Sequence, residues 1–394
     1  MEIISKVVVW IMMVGVVVGG IASIVKPKSE LANQFLEGIN SIGAIFLPVA
    51  GIMASLPLLS RGIELVISPL FKLLGADAAI ATNTFIAVDM GGYQLAQAVA
   101  LTKESWIMST TIGYMAGATI VFSLPIALKM IPEKYHSQLS LGVMSGFISI
   151  PIGVFFSNLI ILITNPMIRE TISTSGPLAY QLQMSFSSLL VNIIPLVIIC
   201  LALAAGLYFK PKSMISGFKK FGIVIDSFIK IVFIMAVVEY FLGIFSTTFG
   251  NWPFDPIIAD ELDINRALEV AGYIGLMLCG AFPIVYLLQK YLNKPLEKLG
   301  SKLGLSSKIM SGILAASANV IALFAMIENM DDEEIVITIA FSVCGAFIIG
   351  DHLAFTANFQ PQLIVPVFVG KLIGGVVAIL IAKYLYRKSF KTSK

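Results

Sequence analysis

The sequence predicts an all-α integral membrane protein of about eleven hydrophobic segments. They fall into two five-segment repeats, inverted relative to each other, each with a re-entrant or broken segment, plus a connecting helix. Three observations carry this. The 394 residues are 58% apolar and 12% charged, against roughly 45–50% and about 25% in soluble domains, and mean hydropathy is +0.94. The apolar residues form runs near the ~20 needed to cross ~30 Å of hydrocarbon. The chain also resembles itself at offsets that fall in a narrow band. A soluble fold would have to bury the apolar excess in one core, and such cores stop growing near ~250–300 residues. A soluble two-domain protein is excluded.

The segments lie near 7–25, 42–60, 78–100, 106–128, 139–163, 185–209, 222–245, 268–289, 308–328, 335–358 and 362–386. The first follows a single Lys6. At roughly 18 residues it exceeds a signal-peptide core and reads as an uncleaved span. Cys200, Cys279 and Cys344 each sit in an apolar run, so no disulfide framework is expected. His136 and His352 alone build no zinc site. The net charge of +3 comes without a basic tract for nucleic acid. No metal, cofactor or catalytic residue is expected.

Gly43 and Gly51 recur as Gly272 and Gly280, and Pro69-Leu70-Phe71-Lys72-Leu73 as Pro295-Leu296-Glu297-Lys298-Leu299. Gly117 to Ser123 recurs as Gly350 to Thr356, and Gly146 as Gly370; the offsets are 229, 226, 233 and 224 residues. This sets a first repeat at 1–182, a connecting transmembrane helix at 183–212 and a second repeat at 213–394. Loop charge tests the topology, because Lys and Arg concentrate on the cytoplasmic side. Eleven crossings leave a weak bias and an outer basic tail. One re-entrant hairpin per repeat, with the N-terminus outside, puts 19 Lys/Arg inside, 5 outside and two within spans. It also puts the acidic loops Asp255 to Asp263 and Asp331 to Glu334 outside. The candidate hairpins are 106–128 and 335–358, which carry small polar residues and a nearby proline, Pro125 and Pro361.

Charged groups within spans are the strongest functional signal, since each costs about 2.5–3.5 kcal/mol at mid-membrane on insertion scales. Asp89 sits at the centre of its segment before Gly91 and Gly92, which can break a helix and bring backbone carbonyls to a ligand. Asp351 and His352 follow Gly350 in a candidate hairpin. Lys371 lies deep in the last segment and calls for a carboxylate partner. Asp226 and Lys230 read as a local ion pair, and Glu239 as a solvated group near a span end. Asp89, Asp351 and Lys371 sum to −1, a charge that suits a small organic cation. Asn319 aligns with Asp89 at an offset of 230. With Thr119, Ser123 and Thr356 it can meet a substrate hydroxyl, and Tyr93 and Phe355 can face a cation.

Asp89-Met90-Gly91-Gly92 with Leu95-Ala96, Gly117 to Ser123 with Pro125, Pro151-Ile152-Gly153, Gly350-Asp351-His352-Leu353 and Gly370 to Gly375 together resemble the ethanolamine permease family, EutH. The match runs in order over nearly the whole chain. It implies a multi-pass bacterial inner-membrane permease, not an enzyme, that admits ethanolamine for catabolism by an ammonia-lyase. Where that family carries paired asparagines, this chain has Asn319 followed by Val320. The expected function is facilitated diffusion of ethanolammonium through a midplane site built around Asp89, with a homo-oligomer left open. The alternatives are an ion-coupled symporter for another amine or amino acid, an ion channel, and an intramembrane aspartyl protease. Val88 before Asp89 and Ile348 before Gly350-Asp351 depart from the protease motifs.

Overall fold

The computed structural model describes residues 2–250, 252–254 and 266–391. The acidic stretch Asp255 to Asp263 and the last residues of the basic tail lie outside them. The helices are α1 (Glu2–Val25), α2 (Glu30–Ala54), α3 (Leu56–Gly62), α4 (Ser68–Leu73), α5 (Ala79–Phe85), α6 (Gly92–Val99), α7 (Lys103–Ile112), α8 (Leu124–Met130) and α9 (His136–Thr164). They continue as α10 (Phe186–Phe209), α11 (Pro211–Leu242), α12 (Ile244–Phe249), α13 (Arg266–Lys302), α14 (Ser307–Ala318), α15 (Val320–Met326), α16 (Asp332–Gly345), α17 (Asp351–Phe359) and α18 (Ile364–Lys391). Eight helical stretches among the described residues are long and apolar enough to cross a membrane. The three cysteines are buried and free.

The breaks do not fall where the sequence suggests. The expected hairpin 106–128 is one continuous rod, Lys103–Met130. Wide helical turns over Gly113–Ser123 carry α7 into α8 without a reversal, a device that shifts hydrogen-bond register but not direction. Its small polar residues serve packing instead. Gly117 lies so close to the carbonyls of Ile86 and Asn83 that a side chain there would press into both.

The reversal lies one segment earlier. After α5 the chain passes through extended Ile86 and Ala87 into a short turn, Val88–Met90, and Gly91 at φ 92° sends it back as α6. Only glycine adopts that φ at low cost. Both ends of the α5–α6 pair meet at buried Asp77, whose carboxylate accepts from the amides of Ala79 and Leu101, each at 2.9 Å. Asn192 on α10 accepts from the Asp77 amide at 2.8 Å and fixes the junction. Because hydrogen bonds to charged groups contribute about 1.5–3 kcal/mol each, Asp77→Ala is expected to lower the thermal unfolding temperature in detergent well below that of Asp77→Asn. Equal melting of the two variants would disprove the pinning.

A second pair, α14–α15, turns at extended Asn319, whose side chain accepts from the Ile321 amide at 2.9 Å. Its two ends meet at Glu334, which accepts from the Ser306 hydroxyl and stands 3.7 Å from Lys308 at the start of the pair, and accepts from the Asp331 amide at 2.9 Å just past its end. Segment 335–358 is broken at Ala346–Gly350 but does not turn back. Glu334 at its start lies beside Ser306, just past the end of α13, while Asn358 near its end donates to the Tyr273 carbonyl in the second turn of α13. At ~1.5 Å per residue those two levels are about 40 Å apart. The freed backbone groups of this break pair with those of α14. The amides of Phe347 and Ile349 donate to the carbonyls of Ala316 and Ser317 at 2.9 and 3.0 Å. That satisfies the rule that irregular backbone in a membrane must find partners inside the protein.

The long helices pack in a crosswise pattern: α2 on α13, α9 on α18, α1 on α13 and α11 on α2. Glycines permit the close crossings, Gly15 and Gly280 for α1 on α13 and Gly38 for α2 on α13. One end of the bundle gathers the N-terminus (Ser5 to the Pro361 carbonyl, 2.6 Å) and a short hairpin pairing Met167–Ile168 with Tyr180–Gln181. Lys103 belongs to this end, paired with Glu170, and not to the opposite side where the charge count puts it. The acidic turn Asp331 to Glu334 moves the other way: Glu334 lies beside Ser306 and Lys308 at the far end, not at the N-terminal end where the charge count puts it. The reason for both shifts is that the chain reverses in 78–100 and 308–328 rather than in 106–128 and 335–358. Asp226 and Lys230 do pair, at 2.7 Å. Glu239 is not merely solvated; it accepts from the Phe245 amide at 2.8 Å and caps α12.

Candidate substrate site

The tips of the two reversing pairs and the break before α17 converge on one cavity of about 290 Å³, several times the ~30 Å³ share of a water molecule. Asp89 and Met90 line it from the first tip, Asn319 from the second, and Asp351 and His352 from the start of α17. Aromatic walls come from Phe122, Phe282 and Phe347. Among the described residues Asp89 forms no ion pair. Asp351 Oδ1 and His352 Nδ1 are buried without a hydrogen-bond partner. Unpartnered buried polar atoms are costly, and here both belong to residues that line the same cavity.

The fourth wall is one the sequence reading does not reach. Glu37, Asn40, Ser41, Ala44 and Pro48 line the cavity from α2, and Glu37 and Asn40 are exposed at its mouth. Their spacing of three and four residues is the available signal, a polar stripe on one helical face. Hydropathy hides it, because the apolar run begins only at 42, whereas α2 begins at Glu30. The lining thus carries three carboxylates, Glu37, Asp89 and Asp351, and among the described residues no lysine or arginine.

The other expected residues lie elsewhere. Gly91 and Gly92 shape the turn; Gly92 packs against the Asn83 side chain. Tyr93 and Phe355 are buried in an aromatic cluster with Trp106 and Phe359, their rings 4.6–5.6 Å apart. Thr356 bonds the Tyr114 hydroxyl and the His352 carbonyl, both at 2.6 Å. Thr119 donates to the Val343 carbonyl at 3.0 Å, and Ser123 lies beside it in a small separate cleft. Lys371 is fully buried, yet no carboxylate pairs with it among the described residues. Its ammonium donates to the Tyr114 carbonyl at 2.6 Å. Wide turns leave carbonyls out of register, and one of them takes the hydrogen bond expected of an acid, while the charges of Lys371 and Asp89 still act on each other through space. No group of three or more His, Cys, Asp or Glu among the described residues could hold a metal ion.

Fold and cavity define a class: a multi-pass helical membrane protein with an acidic chamber where broken helices meet, the construction of secondary transporters. Sequence comparison makes this particular. The chain belongs to the EutH family, described as "Ethanolamine utilisation protein, EutH", which matches residues 4–385. It is 35% identical over 392 residues to the "Probable ethanolamine permease EutH" of Listeria monocytogenes, covering 99% of this chain and 96% of that one. The proteins of the same description from Escherichia coli and Salmonella typhimurium are 36% and 37% identical, covering 92% and 90% of this chain and 87% and 86% of theirs. No solved structure matches the chain.

Proposed function

We propose that this protein is a permease, not an enzyme, for small protonated amines, with ethanolamine as the substrate, in the bacterial cytoplasmic membrane. The observation that carries the reading is a cavity lining that holds three carboxylates and, among the described residues, no lysine or arginine. The names of the relatives, probable ethanolamine permeases, agree with it. Ethanolammonium is a +1 ion with one hydroxyl. Asp89 and Asp351 attract the ammonium, Glu37 draws it in at the mouth, and Asn319 and His352 are placed for the hydroxyl. The aromatic walls shed water and strengthen the attraction.

The architecture fits transport by facilitated diffusion. Read as two repeats, 1–182 and 213–394 joined by 183–212, the chain places α5–α6 and α14–α15 as re-entrant hairpins from opposite faces. Asp77 and Glu334 pin their open ends at opposite ends of the bundle. The crosswise packing of α1 on α13 and α11 on α2 is what a two-fold relation would give. With the N-terminus outside, Lys26, Lys129, Lys212 and Lys302 fall on the cytoplasmic side even after Lys103 moves across. Labelled ethanolamine uptake into proteoliposomes tests the function. Saturable uptake without an imposed ion gradient is expected, weakly inhibited by alanine, whose carboxylate the acidic chamber repels. Efficient inhibition by alanine, or uptake only under a proton gradient, would refute facilitated passage of amines.

A further inference from the structure

The chamber is closed toward the N-terminal end of the bundle by a thin seal. Helix α17 carries Asp351 and His352 in the cavity at its start and ends seven residues later, about 10 Å away. That distance is filled by the buried rings of Tyr93, Trp106, Phe355 and Phe359. Above them sits Arg169, half-buried in the loop between α9 and α10. Its guanidinium donates to the last carbonyls of α17, those of Asn358 and Phe359, and through Nε to the Gly176 carbonyl at 2.7 Å. Among the described residues no carboxylate pairs with it. Gln360 fixes the loop over this seat. It accepts from the Arg169 amide at 2.9 Å and donates to the Arg169 carbonyl at 2.9 Å and the Tyr93 hydroxyl at 2.8 Å.

A cation held only by carbonyls at the negative end of a helix marks a place that accepts a cation. We propose that this carbonyl seat is an outer binding station for the substrate ammonium, and that Arg169 is a tethered competitor that keeps the station filled and the seal shut. An alkylammonium offers three donors and a single charge, which suits the same carbonyls. The inference rests on the amine-permease reading: an ammonium arriving from outside displaces the Arg169 guanidinium from the two α17 carbonyls, while Gln360 keeps the loop backbone in place, and so gains access to the aromatic layer. Arg169 is thus a positioning residue acting on the seal, distinct from the acidic chamber below.

The test is ethanolamine uptake by intact cells expressing wild type, Arg169→Ala or Arg169→Lys, with guanidinium ion added outside. Arg169→Ala is expected to lower the external KM several-fold, and guanidinium to inhibit it competitively at concentrations that leave wild type unaffected. Arg169→Lys, which keeps a tethered cation, is expected to resist guanidinium as wild type does. Binding of ethanolamine to purified Arg169→Ala, monitored by calorimetry, establishes that the variant is folded. A folded Arg169→Ala with wild-type KM and no gain in guanidinium sensitivity would overturn the proposal. Absence of uptake by wild type would instead overturn the amine-permease reading beneath it.

Discussion

Asp89→Asn is expected to weaken ethanolamine binding about a hundredfold and to reduce transport in proportion, with little change in thermal stability. The magnitude follows from charge. Two unit charges at 4 Å in surroundings of effective dielectric constant ~20 attract by about 4 kcal/mol. Asp351 and Glu37 remain in the same chamber and hold part of that attraction, leaving a loss of about 2–3 kcal/mol, and each 1.4 kcal/mol is tenfold. Stability is spared because Asp89 forms no ion pair, among the described residues, that the substitution would break. Calorimetric titration of the purified variant measures the affinity directly. Undiminished binding would remove the central carboxylate from the site. Asp351→Asn is the comparison, since its Oδ1 is buried and unpartnered in the same cavity.

Gly117→Val is expected to damage fold and site together. A Cβ at this position would press into the carbonyl oxygens of Ile86 and Asn83, which are backbone atoms and cannot swing aside. Overpacking of this kind costs about 1–3 kcal/mol, and here it falls on the break that sets Asp89. The unfolding temperature should drop by several degrees and ethanolamine binding should fall with it. Gly43→Ala is the control: Gly43 faces open space on α2, so melting and binding should stay near wild type. A Gly117→Val protein with wild-type affinity would show that the α7–α8 rod does not hold the turn.

Part of the site is legible in residue chemistry alone. Asp89, Asn319, Asp351 and His352 stand out because polar groups are expensive in hydrocarbon, and all four line the cavity. Tyr93, Phe355 and Thr356 do not, although their residue types suit an amine, because an aromatic ring or hydroxyl on a helix has several possible partners. The choice among them, here Trp106, Phe359 and Tyr114, is made by helices distant in sequence. Glu37 is hidden because it precedes the apolar run, where a charge reads as a solvated flank.

Composition and run length alone determined a helical membrane protein, because 58% apolar residues in runs near 20 have no other stable arrangement. The family too was written in its short motifs. Only the tertiary structure decided which segments reverse. Lys103–Met130 and 78–100 are alike in glycines and small polar residues, but whether a glycine absorbs a close crossing or a chain reversal depends on its neighbours. Gly117 meets the backbone of another helix, whereas Gly91 meets a turn at φ 92°. The partner of Lys371 was likewise undecidable from sequence, since a carbonyl freed by a wide turn carries no residue-type signal.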